Sequence, residues 1–187
     1  MSKTAPNVRT EEILTPEILF AQPGLRPTLP SQFKCSPDGH HVTYLQGTED
    51  TPTTLDLWRF DRANNEHHPL VRALDLNAEA DERVTELSDA ERAERERKRQ
   101  FTFGISHYQW LGNEHSLAVY ADGQASWINV SATDNAPERI TPEGHRHSGF
   151  NPSPSGHLMS YVRDGNLFYR ALHTASQEVT VTKDGDE

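Results

Sequence analysis

A short arginine-rich stretch carries the side chains best suited to binding carbonyl or anionic groups. Residues 88–100 read SDAERAERERKRQ, a run of alternating acids and bases. Arg95 and Arg99 lie four residues apart and would share one face of a helix. A guanidinium presents a planar fork of donors that matches carboxylates and peptide carbonyls. One of these arginines could therefore bind a ligand in a cavity, although a solvated helix laced with ion pairs is the usual meaning of such a run.

The ten histidines raise the question of a metal site. The closely spaced ones are His40-His41, His67-His68, and the alternating His145 and His147. Residues two apart on a strand share a face, so His145 and His147 could supply two ligands. No third ligand stands at a recognisable spacing. We therefore predict turn histidines at the surface, with no metal and no other cofactor.

Residues for nucleophilic catalysis are not arranged in a known pattern. No GxSxG nucleophile elbow occurs in the 187 residues, so no serine triad is supported. Cys35 is the single cysteine, which excludes an intramolecular disulfide. We expect Cys35 to be a small buried hydrophobic residue in a strand rather than a catalytic thiol. The only adjacent glutamate pair, Glu11-Glu12, lies in the N-terminal arm, which covers residues 1–30.

The composition of the chain argues against a nucleic-acid-binding protein and against a membrane-spanning one. The chain is 34% apolar and 25% charged, with a formal net charge of −10, and its length suits one domain or one and a piece of another. An acidic chain is not expected to bind nucleic acid, which needs clustered cationic surface. No stretch approaches the roughly 20 apolar residues of a membrane span, and no signal peptide is visible. We expect the cytoplasm, or the periplasm if a signal peptide has been removed.

Three similar segments of the sequence predict the strands that would position a functional site. Each passes a Pro/Asp/Gly-type turn into an alternating strand, and the blades are placed near 31–74, 105–142 and 147–187. The first turns contain Asp38-Gly39, Asn113-Glu114 and Ser155-Gly156. The alternating strands HHVTYL, HSLAVY and HLMSYV can each bury one face. The spacing between the second and third turns matches the period of roughly 40–50 residues that is expected of four-stranded propeller blades.

The number of residues between the first turn and the second exceeds the period of one blade by about 33. We attribute the excess to an insertion between Asp75 and Gly104, with a charged helix at residues 87–100. Ser88 is a suitable N-cap, Glu91 completes a capping box, and Gly104 is the expected stop. The predicted fold is mainly β: about three four-stranded blades of a β-propeller with one inserted charged α-helix. A β-sandwich with similar hairpins is the alternative.

Several segments together resemble the bacterial dipeptidyl peptidase IV branch of the prolyl oligopeptidase superfamily, also called dipeptidyl aminopeptidase IV. They are LTPEILF, SPDGHHVTYLQG, LDLWRFD, LSDAERAERERKRQFTFGISHYQW and SPSGHLMSYVRDGNLFYRAL. The resemblance covers about residues 14–187. The run RERKR, followed by an aromatic residue and then by GI and YQW, is its most specific part.

The resemblance implies an eight-bladed N-terminal propeller over an α/β-hydrolase domain, whose Ser-Asp-His triad releases dipeptides with proline or alanine second. It also implies that an arginine of the inserted helix binds the substrate backbone. Our preference is Arg99, with Arg95 and Arg97 as rivals. Because the hydrolase domain and the family's paired glutamates are absent from these residues, we expect a propeller fragment with no catalytic residue, inactive alone.

The resemblance also sets the expected partners. These are a peptide substrate in the parent enzyme, the missing hydrolase domain and the remaining blades. Three blades cannot close a ring, so open blade edges predict self-association. The alternative is a stand-alone β-rich interaction module without enzymatic activity. The dipeptide preference stays open at this point.

Overall fold

The fold is built from three antiparallel four-stranded units that follow one another along the chain. The structure, a computed structural model, describes residues 15–16, 29–48, 50–76, 97, 102–112, 115–131, 136–172 and 177–185. Blade 1 contains β1 (Ser31–Cys35), β2 (His41–Gln46), β3 (Thr54–Asp61) and β4 (Glu66–Val71), followed by the short helix α1 (Ala73–Leu76). Blade 2 contains β5 (Phe103–Trp110), β6 (Ser116–Ala121), β7 (Gln124–Asn129) and β8 (Glu138–Arg139). Blade 3 contains β9 (Ser148–Pro152), β10 (Leu158–Arg163), β11 (Asn166–Ala171) and β12 (Val179–Thr180).

The turn that opens the first hairpin of blades 1 and 3 is held by a serine. In blade 1, Ser36 Oγ accepts a hydrogen bond from the backbone N–H of His41 at 2.9 Å. In blade 3, Ser153 Oγ accepts the equivalent bond from Leu158 at 3.1 Å. The turn glycine is in the left-handed region in both cases, a conformation that glycine adopts without steric cost. Local turn chemistry therefore fixes where β2 and β10 begin.

Blades 2 and 3 are copies of one structural unit. Equivalent residues of the two blades are separated by the same number of residues as Asn113 and Ser155. The second hairpin turns on Asp122-Gly123 in blade 2 and on Asp164-Gly165 in blade 3. The aspartates have φ angles of 46° and 48°, and the glycines 71° and 70°. Because hairpin register follows from turn geometry, β6–β7 and β10–β11 pair in the same register. The spacing seen in the sequence is thus a structural repeat.

Two apolar layers hold the three blades face to face. The layer between blades 1 and 2 contains Leu45, Leu55, Leu57, Leu70, Val71, Ala73, Ile105, Tyr108, Leu117, Val119, Ile128 and Val130. The layer between blades 2 and 3 contains Leu111, Ala118, Tyr120, Ala125, Ile140, Met159, Tyr161, Phe168 and Leu172. Since the middle strands of blade 2 contribute alternate residues to alternate layers, blade 2 packs face to face against blade 1 on one side and blade 3 on the other.

Strand β6 shows why the stacking matters. Leu117 and Val119 belong to the layer shared with blade 1, whereas Ala118 and Tyr120 belong to the layer shared with blade 3. All six residues of β6 are buried. The alternating pattern indicated that this strand can bury one face, and the structure buries both, because a central blade is covered on both sides.

The connection between blades 1 and 2 returns to the start of β3. Phe103 and Gly104 of β5 pair in parallel with Thr54 and Leu55 of β3. The expectation that Gly104 ends a helix was therefore wrong, because Gly104 is the second residue of strand β5. Its φ is 76°, and a Cβ there would lie 2.7 Å from the Leu55 carbonyl oxygen, so the close approach of two backbones requires glycine.

The predicted charged helix at 87–100 lies outside the described residues, except that Arg97 is helical and exposed. Part of the excess length falls elsewhere, because the second hairpin of blade 1 has a longer loop than the second hairpin of blade 2: the last strand pair before the loop is Gln46 with Asp56 in blade 1 and Ala121 with Gln124 in blade 2. None of the helices within the described ranges is long and apolar enough to cross a membrane.

Candidate functional site

The predicted substrate-binding arginines fall almost entirely outside the part of the chain that the structure describes. Arg95 and Arg99 lie there, as does the glutamate pair Glu11-Glu12. Arg97 is described, and its side chain is exposed on a helix. The structure therefore leaves the choice among the three arginines as a prediction.

The contacts that the sequence did not foresee run between the first strands of the blades. Gln32 of β1 donates its side-chain N–H to the carbonyl oxygen of Ser106 in β5 at 2.8 Å. Its side-chain oxygen lies 2.9 Å from Nδ1 of His107. The Tyr108 hydroxyl donates to the Gln32 carbonyl at 2.6 Å. Gln32 itself has a φ of 53°, an uncommon value for a residue other than glycine. One glutamine thus joins blade 1 to blade 2 through both backbone and side chain.

Lys34 adds a charge to this contact. Its ammonium donates to the Tyr108 carbonyl at 2.7 Å and lies 5.1 Å from the centre of the Tyr108 ring. Burial lowers the pKa of Lys34 and raises the pKa of the Tyr108 hydroxyl to about 12. Burial, followed by repulsion from Lys34, also lowers the pKa of His107. The His107 imidazole is therefore neutral at pH 7 and can both donate and accept a hydrogen bond.

A cavity of about 280 Å³ lies between the first strands of blades 2 and 3. It is lined by Ser106, His107, Tyr120, Gly123, His147 and Phe150. Three of its rings form a continuous stack: His107 on Tyr120 at 5.7 Å between centroids, and Tyr120 on Phe150 at 4.8 Å. Burial raises the pKa of the Tyr120 hydroxyl. The cavity is consequently a mostly aromatic, uncharged space.

His147 is the unusual member of this lining. It is only 4% exposed, and within the described residues neither ring nitrogen makes a hydrogen bond of ordinary geometry. Its ring contacts Tyr161 edge-on, with 5.1 Å between centroids. Burial lowers the pKa of His147, with the nearby Gly123 carbonyl opposing this. A buried histidine with unsatisfied nitrogens is destabilising when protonated, so it stays neutral.

An ion pair lies behind Tyr161 in blade 3. Glu178 accepts two hydrogen bonds from Arg163, at 2.6 and 3.0 Å, and one from the Tyr161 hydroxyl at 2.5 Å. Burial alone raises the pKa of Glu178, but the hydrogen bonds from Tyr161 and Arg163 outweigh it and hold the pKa below its ordinary value. Arg163 also lies 4.2 Å over the Phe168 ring. This cluster links β10, β11 and the segment before β12, and so braces blade 3.

Two expectations about single residues were wrong. Cys35 is exposed rather than buried, because it ends the edge strand β1. His147 is buried rather than a surface turn residue, because blade 3 folds over it. Among the described residues, no group of three or more His, Cys, Asp or Glu side chains could hold a metal ion. The hydrogen-bonding and aromatic side chains at the first strands suit non-covalent binding.

Comparison with known proteins identifies the family that blades 2 and 3 resemble. The profile of the dipeptidyl peptidase IV (DPP IV) N-terminal region matches residues 105–187. The predicted resemblance to the N-terminal propeller region of dipeptidyl peptidase IV is therefore confirmed, and the matched residues carry blades 2 and 3.

Three solved structures are similar to most of the chain. Dipeptidyl peptidase 4 of Porphyromonas gingivalis is 20% identical with a TM-score of 0.52, over 93% of this chain and 22% of that one. The tricorn protease is 9% identical with a TM-score of 0.52, over 85% of this chain and 13% of that one. A putative TolB from Agrobacterium tumefaciens is 16% identical with a TM-score of 0.49, over 83% of this chain and 50% of that one.

The likenesses to the P. gingivalis dipeptidyl peptidase and to the tricorn protease bear on the fold alone. The mainly β, propeller-blade architecture predicted from the repeat is confirmed, in place of a β-sandwich. The chain spans half or less of the length of each of these proteins.

Proposed function

We propose that this chain forms part of the N-terminal propeller of a serine dipeptidyl peptidase, which removes Xaa-Pro or Xaa-Ala dipeptides from the free N-terminus of peptides. The observation that supports the proposal most is the match of residues 105–187 to the dipeptidyl peptidase IV N-terminal region. The sequence contains no GxSxG motif, so the nucleophile must come from a hydrolase domain outside these residues. The chain alone is proposed to be inactive.

The blades would contribute binding and access rather than bond cleavage. In the parent enzyme the serine attacks the scissile carbonyl, the histidine transfers the proton, and the aspartate orients the histidine. A propeller placed over that site restricts which peptides reach it. The first strands, which present Gln32, His107 and Phe150, are the part of this chain with polar and aromatic groups suited to a peptide.

An arginine of segment 87–100 is proposed to bind the substrate backbone, with Arg99 preferred over Arg95 and Arg97. Arg97, the one arginine of the three that the structure describes, is exposed and so accessible to a ligand. A charge-assisted hydrogen bond to a carbonyl contributes about 1.5–3 kcal/mol. Loss of one such bond in the transition state should therefore lower kcat/KM by about 10- to 150-fold.

The first experiment examines the native gene product. An antibody raised against these 187 residues is used to isolate it from source-cell fractions, and its mass is measured. The isolate is assayed with Ala-Pro- and Gly-Pro-p-nitroanilide, and with the N-acetylated forms as controls. We expect a product several times longer than this chain that acts only on the free amino termini. A product with the mass of this chain alone and without the activity would contradict the proposal and favour the interaction module. The fractions would also decide between cytoplasm and periplasm.

The second experiment separates the arginines. Arg95→Ala, Arg97→Ala and Arg99→Ala are compared in the full-length enzyme with Arg62→Ala, an exposed arginine in the β3–β4 turn. We expect kcat/KM to fall for one arginine of segment 87–100, foremost Arg99, and to be unchanged for Arg62→Ala. Unchanged turnover in all three variants would exclude a substrate-binding role for the segment.

A further inference from the structure

The cavity between blades 2 and 3 has the size of a small-ligand site. Its volume is about 280 Å³. An apolar cavity of about 150 Å³ already admits benzene, so there is room for one aromatic ring and a substituent. Among the residues that line it, Ser106 and His107 are exposed, whereas Tyr120 and His147 are buried. The cavity therefore extends from solvent to the apolar layer between the two blades.

The walls of the cavity favour an aromatic ligand. The rings of His107, Tyr120 and Phe150 stack on one another along the lining. Phe150 is only half-buried, so part of its ring is free to contact a further ring. Gly123 contributes no side chain to the lining. Aromatic rings pack on each other offset or edge to face, and this lining offers both kinds of contact.

The charges around the cavity favour a neutral ligand. None of the six lining residues is aspartate, glutamate, lysine or arginine. Asp122, next to the lining residue Gly123, is paired with Arg146 at 2.7 Å. Burial lowers the pKa of both His107 and His147, so neither ring carries a charge at pH 7. A charged ligand would lose its hydration there without gaining an opposite charge.

The hydrogen bonds of the lining set His147 apart. Ser106 Oγ donates to the Tyr120 carbonyl at 3.1 Å, and the Tyr120 hydroxyl donates to the Met159 sulfur at 3.8 Å. In contrast, neither ring nitrogen of the buried His147 has a hydrogen-bond partner among the described residues. A buried polar group without a partner is destabilising, and a ligand that supplies a partner removes this loss.

His147 also determines which substituent on the ring is favoured. A neutral imidazole donates a hydrogen bond from one nitrogen and accepts one at the other. A phenolic hydroxyl can likewise donate and accept, whereas an unsubstituted ring can do neither. Both nitrogens of His147 are closed to solvent, so a turn of the imidazole accompanies the pairing.

We propose that this cavity binds one neutral, phenol-like ring, which packs against the stacked aromatic rings and pairs its hydroxyl with His147. The ligand is the side chain of a tyrosine in a peptide or a free phenol, which share this chemistry. The proposal rests on the cavity and not on the peptidase function. Because it needs no bond cleavage, the two proposals can fail separately.

The test measures the binding of three probes to the full-length gene product, in which blades 2 and 3 keep their native neighbours. The probes are N-acetyl-tyrosinamide, N-acetyl-phenylalaninamide and p-cresol. The acetyl group removes the free amino terminus, so a dipeptidyl peptidase would not cleave the amides. Dissociation constants are obtained from the broadening of the NMR signals of each probe, and far-UV circular dichroism checks that each variant keeps the fold.

Four variants locate the binding. Ser106→Phe places a ring in the cavity from an exposed position, and Phe150→Ala removes part of the aromatic wall. Phe33→Ala is the matched control, because Phe33 is 63% exposed in blade 1 and does not line the cavity. His147→Phe keeps a ring of similar size and removes both nitrogens.

We expect Ser106→Phe and Phe150→Ala to weaken the binding of N-acetyl-tyrosinamide by about tenfold or more, and Phe33→Ala to leave it unchanged. Wild type should bind N-acetyl-tyrosinamide about 2- to 13-fold more tightly than N-acetyl-phenylalaninamide, as one neutral hydrogen bond allows. His147→Phe should lose this preference. Tighter binding of N-acetyl-tyrosinamide than of p-cresol would identify a peptide as the source of the ring, and equal binding would identify a free phenol.

Three results would overturn the proposal. The first is the lack of saturable binding of every probe. The second is unchanged binding in both Ser106→Phe and Phe150→Ala, which would place the probes elsewhere on the protein. The third is a preference for the tyrosine amide that survives in His147→Phe, because the pairing with His147 would then be absent.

Discussion

Replacing Gly156 by alanine, and comparing it with the same change at Gly39, should separate two losses of stability. One comes from placing a side chain on a left-handed backbone, and the other from packing the added methyl group too closely. Gly156 and Gly39 occupy the same position of the same turn in blades 3 and 1, and both have a φ of 71°. A Cβ at Gly39 would have no heavy atom within 4 Å. At Gly156 it would lie 2.7 Å from the Leu111 carbonyl oxygen of blade 2. The two substitutions therefore differ only in the space around the added methyl group.

The expected magnitudes follow from this comparison. A side chain in the left-handed region costs about 1–2 kcal/mol, and the stiffer unfolded chain recovers about 0.4–1 kcal/mol. Gly39→Ala should thus lower the free energy of unfolding by about 0.5–1 kcal/mol. Gly156→Ala adds overpacking against a backbone carbonyl that cannot rotate away, about 1–3 kcal/mol more.

Urea unfolding followed by tryptophan fluorescence measures both variants against wild type. The variants should differ by about 1–3 kcal/mol, with the larger loss for Gly156→Ala. Equal losses would refute the reasoning, because they would mean that blade 3 can move away from Leu111 without cost. Such a result would also show that the close approach of the two blades is not needed for stability.

Two further predictions concern the interface between blades 2 and 3. The pKa of His147 is lowered in the folded state, so the unfolded state binds the proton more readily. The free energy of unfolding should therefore fall as the pH drops below about 6.5. The urea midpoint of His147→Phe should lose this pH dependence, and a pH profile like that of wild type would contradict the prediction. Glu178→Gln removes the closer anionic partner of Arg163, leaving Asp164 at 4.0 Å, and should cost about 1–3 kcal/mol. Glu143→Gln, at an exposed ion pair, should cost less than about 0.5 kcal/mol by the same urea assay. Equal effects of the two glutamines would show that the Glu178 ion pair contributes no more than an exposed one.

The hairpins could be predicted from the sequence because their causes are local. Gly39 and Gly156 adopt the left-handed conformation close in sequence to Ser36 and Ser153, the serines that hold the same turns. The alternating segments that follow became β2, β6 and β10. A repeat of turn chemistry with a fixed period is visible without knowing what packs against what.

The burial of single residues could not be predicted in this way. His147 sits beside a turn in the sequence, yet its burial depends on rings such as Tyr161, which the next strand, β10, places against it. The contact of Gln32 with His107 joins two blades that lie far apart in the chain, and nothing in either segment signals the other. Cys35 reads as a strand residue, but whether a strand is an edge depends on the order of strands in the sheet. The candidate site was missed because it forms between repeats and not within one.

The two ends of the segment between blades 1 and 2 are both tied to the start of β3. Where the chain leaves, the buried carboxylate of Asp56 accepts a hydrogen bond from the N–H of Ala73 at 2.8 Å. Where it returns, the N–H of Phe103 bonds to the Thr53 carbonyl at 2.7 Å. The entropy of closing the loop is thus offset by blade 1 itself. Doubling the length of such a connection costs only about 0.6 kcal/mol in closure entropy. Changes in the length or charge of this segment should therefore have little effect on the stability of the sheets.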